Sequence, residues 1–169
     1  DTSTVYGDYN VGGVVGIGHG LVLRKVGSSA DVQCLNPVIS PTRGCGDAAK
    51  GKNIGGLVGW MKSIFDLPEG NDYYYNAESI SHSYTTEGVN IFGRQNVGGL
   101  VGQSSGAIIH SYSGAMVQGN INVGGLVGEQ TAGGTLFLTR SFFGGDLGGD
   151  DPTYTAGIIG SSFASSGMY

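Results

Sequence analysis

One phrase recurs along the chain. It reads Asn-Val-Gly-Gly-Val-Val-Gly at Asn10–Gly16, Asn-Ile-Gly-Gly-Leu-Val-Gly at Asn53–Gly59, and Asn-Val-Gly-Gly-Leu-Val-Gly at Asn96–Gly102 and Asn122–Gly128. A fainter fifth copy is Tyr154–Gly160. A repeat this short buries its apolar side only against its neighbours, so the recurrence predicts a stack of similar coils.

A second phrase sets the coil length. Tyr112 follows Asn96 by 16 positions, and Val26 follows Asn10 by the same 16. Tyr84 lies 31 positions beyond Asn53 and Phe142 lies 20 beyond Asn122, so those two coils carry insertions. The shortest interval, Asn96 to Asn122, is 26 positions and defines the minimal coil.

Asn96–Gly128, with its Ser-Gly, Ile and Ser-Tyr elements and its small-residue return to the next glycine pair, resembles the GLUG repeat of large secreted and surface proteins of bacteria, including adhesin-like and autotransporter-like passengers. The resemblance implies a right-handed parallel β-solenoid, without catalytic residues of its own and with no particular ligand. On this reading the chain is all-β, about five coils in one domain over 1–169. Its insertions fall at about 33–52 and 60–78.

Composition agrees. The 34 glycines follow no Gly-X-Y period and prolines number only 4, which argues against collagen. Short Val/Ile/Leu runs bounded by glycine suit strands and tight corners, and no window keeps apolar residues at helical spacing over three turns. No run of 18 apolar residues is present to span a membrane. A net charge of −5 leaves no basic footprint for nucleic acid.

Cys34 and Cys45 flank a loop with two prolines in the first insertion, and no histidine sits near with metal-ligand spacing. A disulfide is the expected pairing, which places the chain in an oxidising, secreted or cell-surface setting. Two unpaired buried thiols are the alternative.

Stacking converts repeated residues into columns about 4.8 Å apart. Asn10, Asn53, Asn96 and Asn122 are expected to form a structural amide ladder. Val26, Tyr84, Tyr112 and Phe142 are expected to form an apolar and aromatic stack that packs core or corner, with a sugar platform as the alternative. Two positions earlier, Arg24, His82, His110 and Arg140 form a candidate basic ridge for an acidic glycan, strengthening as the histidines protonate. Strand parity puts ridge and stack on one face unless a bulge intervenes, and a plain solvated edge is the competing expectation.

Candidate chemistry is sparse. His82-Ser83 and His110-Ser111 recur by repetition and point to opposite faces, so no catalytic triad is expected. Asp66, Glu69, Asp72 and Glu78 lie in the second insertion without a pairing signal. That insertion also carries Trp60, Phe65, Tyr73, Tyr74 and Tyr75, either a loop that contacts a glycan or a neighbouring chain, or a cover for the solenoid flank. Asp146, Asp150 and Asp151 outline a weak calcium turn, without the nonapeptide rhythm of known ones, and no cofactor is expected.

The sequence opens on Asp1 rather than Met, as a processed form or a fragment would. Residues 154–169 and the nine positions before Asn10 together fall one short of a 26-residue coil. That phase predicts head-to-tail filaments of identical copies, with an excerpt of a longer adhesin as the competing reading. The expectation is a non-catalytic extracellular structural protein, with a carbohydrate-binding module as the alternative.

Overall fold

The computed structural model describes residues 3–34, 45, 50–62, 78–132, 136–148 and 153–162. Among them every regular element is a strand. The runs are two to five residues long and rich in Val and Ile, too short for a helix and suited to a pleated surface.

After β1 (Thr4–Tyr6), the chain makes a turn of five strands: β2 (Tyr9–Gly12), β3 (Val15–His19), β4 (Val22–Arg24), β5 (Gly27–Ser28) and β6 (Asp31–Gln33). The next turn is β7 (Lys52–Gly55), β8 (Val58–Lys62), β9 (Ser79–Ser81), β10 (Tyr84–Thr85) and β11 (Asn90–Phe92). Then follow β12 (Gln95–Gly98), β13 (Val101–Ser104), β14 (Ala107–Ile109), β15 (Tyr112–Ser113) and β16 (Met116–Gln118). A further turn is β17 (Ile121–Gly124), β18 (Val127–Gln130), β19 (Phe137–Thr139), β20 (Phe142–Phe143) and β21 (Leu147–Gly148). β22 (Thr153–Ala156) and β23 (Ile159–Ser161) lie beyond.

Each strand pairs in parallel with its counterpart one turn away, giving five sheets ordered β1-β6-β11-β16-β21, β2-β7-β12-β17-β22, β3-β8-β13-β18-β23, β4-β9-β14-β19 and β5-β10-β15-β20. The remainder of each turn serves as the crossover that a parallel pair requires. This is a parallel β-solenoid.

Four apolar strand columns point inward, joined by Leu57, Leu100 and Leu126, which stack at 0% exposure just before β8, β13 and β18. Val11, Ile54, Val97 and Val123 are in register, as are Val15, Val58, Val101 and Val127. Leu23, Ile80, Ile108 and Leu138 form the third column, and Val32, Ile91, Val117 and Leu147 the fourth. Each fully buried member contributes about 1.5–3 kcal/mol by leaving water.

The fifth inward column is small and polar: Ser28, Thr85 and Ser113, ending in Phe143. It meets the second glycine of each repeated phrase across the interior. A Cβ on Gly56 would collide with Thr85, one on Gly99 with Ser113 and one on Gly125 with Phe143, each closer than 3.0 Å. This contact divides the apolar interior into two clusters, one around Ile54, Ile91 and Val97 and the other around Leu57, Ile80 and Leu100. Phe143 packs against both.

The repeated glycines therefore supply close approach. None of those in the phrase has positive φ. A Cβ on the first, at Gly55 or Gly98, would strike the carbonyl of Val58 or Val101, and one on the last, at Gly102 or Gly128, would strike the backbone of Asn53 or Asn96 one turn below. The corners are instead made by non-glycine residues at positive φ: Asn10, Asn53, Asn96, Asn122 and Tyr154 in one column, Lys25, His82, His110 and Arg140 in another. Asn is among the few side chains that tolerate this conformation, which fits the first column.

Candidate functional site

The asparagine corner is a closed hydrogen-bond ladder. Asn53 Nδ2 donates to Asn10 Oδ1 at 2.8 Å, Asn96 Nδ2 to Asn53 Oδ1 at 2.9 Å and Asn122 Nδ2 to Asn96 Oδ1 at 2.8 Å. Beside its upper rungs stands Glu129, which the sequence reading missed. Its carboxylate accepts from Asn96 Nδ2 at 2.9 Å, Gln103 Nε2 at 2.7 Å and Asn122 Nδ2 at 3.1 Å. Partial burial raises its pKa above the usual carboxylate range, against the lowering effect of the Asn96 and Gln103 hydrogen bonds. The recurring position after each phrase, occupied by Trp60, Gln103 and Glu129, was the available signal.

The second corner column corrects the sequence reading of the ridge. Arg24 is in register with Ser81, so the residue level with His82 is Lys25, which shares its positive φ. By the same shift Gly27, rather than Val26, lies level with Tyr84. The first turn holds one extra residue between β3 and β4, where Gly20 takes φ +59°, and counting from Asn10 lands one position early. The corrected column is Lys25, His82, His110 and Arg140. His82 and His110 have ring centroids 4.8 Å apart, and Arg140 Nη1 lies 3.2 Å from His110 Nε2. Because arginine only donates, His110 Nε2 is the acceptor.

Ser83, Ser111 and Ser141 stand between this column and the aromatic one. Each hydroxyl accepts from a backbone N–H of the previous turn, at Val26, Ser83 and Ser111. Each donates to the carbonyl two residues back, so the corner's own polar groups are satisfied.

The aromatic column is outside the molecule, not in its core. Tyr84 stacks on Tyr112 and Tyr112 on Phe142, each with centroids 5.2 Å apart and planes within 7°. The three rings are 37%, 36% and 59% exposed. Tyr84 covers the place where a Gly27 side chain would stand. Tyr112 has a ring on each face and Tyr84 lies between Tyr112 and Gly27, whereas no described ring covers the outer face of Phe142.

Trp60 is also corrected. It lies within β8, in register with Ile17 and Gln103, so the strand extends through it and Met61 to Lys62 before the insertion begins. Lys62 Nζ sits 4.1 Å from the Trp60 ring centroid, and Trp60 Nε1 is buried without a hydrogen-bond partner among the described residues. Phe65, Asp66, Glu69, Asp72 and Tyr73, Tyr74 and Tyr75 lie outside the described residues, as do Asp150 and Asp151. Asp146 is described, and among the described residues no group of three His, Cys, Asp or Glu gathers to hold a metal. Glu78 is buried, and its carbonyl accepts from Ala107 N–H.

Cys34 and Cys45 are joined in a disulfide, both buried. Cys34 N–H also bonds Phe92 O, which ties the loop's origin to the next turn. Among the described residues no helix is long and apolar enough to cross a membrane.

The fold defines the class as a parallel β-solenoid. No family model, no curated protein and no solved structure matches the chain.

Proposed function

We propose that this chain is a non-catalytic extracellular structural protein, a solenoid segment that extends by stacking coil on coil, as a head-to-tail filament subunit or as part of a surface adhesin. The observation that carries the reading is the parallel register of the repeated strands: turn after turn presents the same asparagine amide, the same glycine hollows and the same inward Val, Ile and Leu columns to its neighbour. A unit that matches its neighbour in this way is a template for another of the same pattern, and a head-to-tail contact that does not close yields an open fibre.

Within a turn, the repeat's asparagines, glycines and apolar residues are all engaged in stacking, which supports a structural role. The disulfide and the GLUG resemblance support an extracellular setting.

Electron microscopy of the chain across a concentration series tests this, beside a variant lacking residues 1–9. The expected result is filaments with an axial repeat of about 20–25 Å at strand spacing, lost on truncation. A chain that stays monomeric at every concentration refutes homopolymerisation and leaves the adhesin segment.

A further inference from the structure

We propose that the corner carrying Lys25, His82, His110 and Arg140 is a binding ridge for a linear carboxylated polysaccharide lying parallel to the solenoid axis. This inference is independent of whether copies stack end to end, since the ridge runs along the flank.

Charge segregation is the first support. The chain carries net −5, yet the segments that build this flank, 22–30, 79–86, 107–114 and 137–145, contain no Asp or Glu. They contain Arg24, Lys25 and Arg140, three of the eight Lys and Arg residues, with His82 and His110 between them. All five are exposed. The nearest carboxylates along the chain are Glu78, which is buried, and Glu87, Asp31 and Asp146 beyond the stacked rings.

Geometry is the second. A cation or histidine stands on each of four successive rungs, and the His82 and His110 ring centroids are 4.8 Å apart. The positive φ of all four residues fixes the backbone of the column. A polyuronate brings one carboxylate per sugar, and a sugar's length along an extended chain is close to one rung. Duplex DNA brings a charge about every 1.7 Å, roughly three per rung, and needs a broader basic face than a single file. Single-stranded nucleic acid depends on a succession of free aromatic faces, and in this column only the outer face of Phe142 is left without a described ring or glycine against it. The tyrosine hydroxyls remain available at the flank for sugar hydroxyls.

The histidines make the ridge responsive to pH. His110 accepts from Arg140, and a protonated His110 could not do so. It would face Arg140 and His82 as like charges, with Lys25 and Arg24 one rung further and the Tyr84 and Tyr112 hydroxyls alongside. A carboxylate between His110 and Arg140 replaces that repulsion with two charge-assisted bonds. Binding and proton uptake therefore favour each other.

The test is titration calorimetry of the full chain with oligogalacturonate at about 50 mM salt. The native chain is expected to bind, and the affinity to fall as salt rises. Lys25→Asn/Arg140→Asn keeps side chains suited to positive φ and is expected to weaken binding about tenfold or more, lowering the slope of log affinity on log salt by up to about two. Arg94→Gln, between β11 and β12, is expected to bind as the native chain does. Lowering the pH from about 7.5 to about 5.5 is expected to tighten binding by the native chain more than by His82→Asn/His110→Asn. Should the Lys25/Arg140 variant lose its native far-UV spectrum, Lys25→Asn/His82→Asn reads the same ridge at the other end. No binding by the native chain at low salt overturns the proposal. So does unchanged affinity in the folded ridge variants, or binding of duplex DNA or neutral dextran as tight as that of oligogalacturonate.

Discussion

Replacing Asn96 by Ala and by Gly separates the two things its side chain does. Asn96 is 4% exposed, stands at φ +56°, donates to Asn53 and Glu129 and accepts from Asn122. Alanine at that φ costs about 1–2 kcal/mol. The three lost hydrogen bonds cost about 1 kcal/mol each, with Asn53 Oδ1 left short of a donor. Asn122 keeps its bond to Glu129, which limits the loss at that neighbour. The expected total for Asn96→Ala is about 3–5 kcal/mol. Glycine removes the φ penalty but not the hydrogen-bond loss, and adds backbone entropy to the unfolded chain, so Asn96→Gly should be about 1 kcal/mol more stable than Asn96→Ala. Asn10, at the ladder's end with a single amide contact, should cost less than Asn96 when replaced by Ala. Urea unfolding followed by far-UV circular dichroism gives the three midpoints. Asn96→Ala within about 1 kcal/mol of the native chain would refute the ladder's energetic role. Asn96→Gly less stable than Asn96→Ala would refute the conformational part.

Four further outcomes follow from the same geometry. Gly99→Ala, whose Cβ would strike Gly125 O and Ser113, should destabilise by more than about 2 kcal/mol. Gly88→Ala, at φ +78° with open space around it, should lose only about 1–2 kcal/mol in the same melts. Tyr154 occupies the asparagine corner at φ +60°, so Tyr154→Asn should stabilise by about 1–2 kcal/mol, through relief at the backbone and a new bond to Asn122 Oδ1. Glu129 has a raised folded pKa, so its contribution is fully present below the unfolded value near 4.5 and is lost as pH rises through the folded one. The stability difference between the native chain and Glu129→Gln should shift toward the native chain on acidification from pH 7, and an unchanged difference would contradict the assigned burial.

The stacked-coil fold was legible because identical residues recur. Four asparagines followed by glycine pairs announce a column before any strand is assigned, and the Val/Leu positions announce what lies beneath it. Position along the chain was harder wherever a turn departs from the minimal one. The extra residue near Gly20 moves Arg24 and Val26 out of their expected columns, and fixed counting cannot see a bulge that leaves composition unchanged. Trp60 looked like loop because it borders an insertion, but backbone pairing with Ile17 and Gln103 decides where the strand stops. The glycines suggested tight corners, whereas the corners fell on Asn, Lys, His and Arg. What demands glycine is the carbonyl of a neighbouring turn, a three-dimensional fact without a local signature. Glu129 was missed because an acid beside an amide ladder is defined by register across turns.

The fixed spacing from Asn to the last glycine of each phrase, against the freedom of the stretches that follow, has a consequence for how such a molecule changes length. In the inner copies, Asn53–Gly59, Asn96–Gly102 and Asn122–Gly128, the phrase is held by a turn on each side, so a one-residue insertion there would break contacts on both sides. Chain enters and leaves instead between β6 and β7, between β8 and β9 and between β18 and β19. A duplicated segment running from Asn96 to the residue before Asn122 would present the same amide, the same glycine hollows and the same apolar knobs to both of its new neighbours. The 26-residue unit is thus a self-compatible cassette. Lengthening the molecule by whole units would preserve each junction, while the stretches outside the phrase, within a unit as well as before the next one, remain free to acquire new loops.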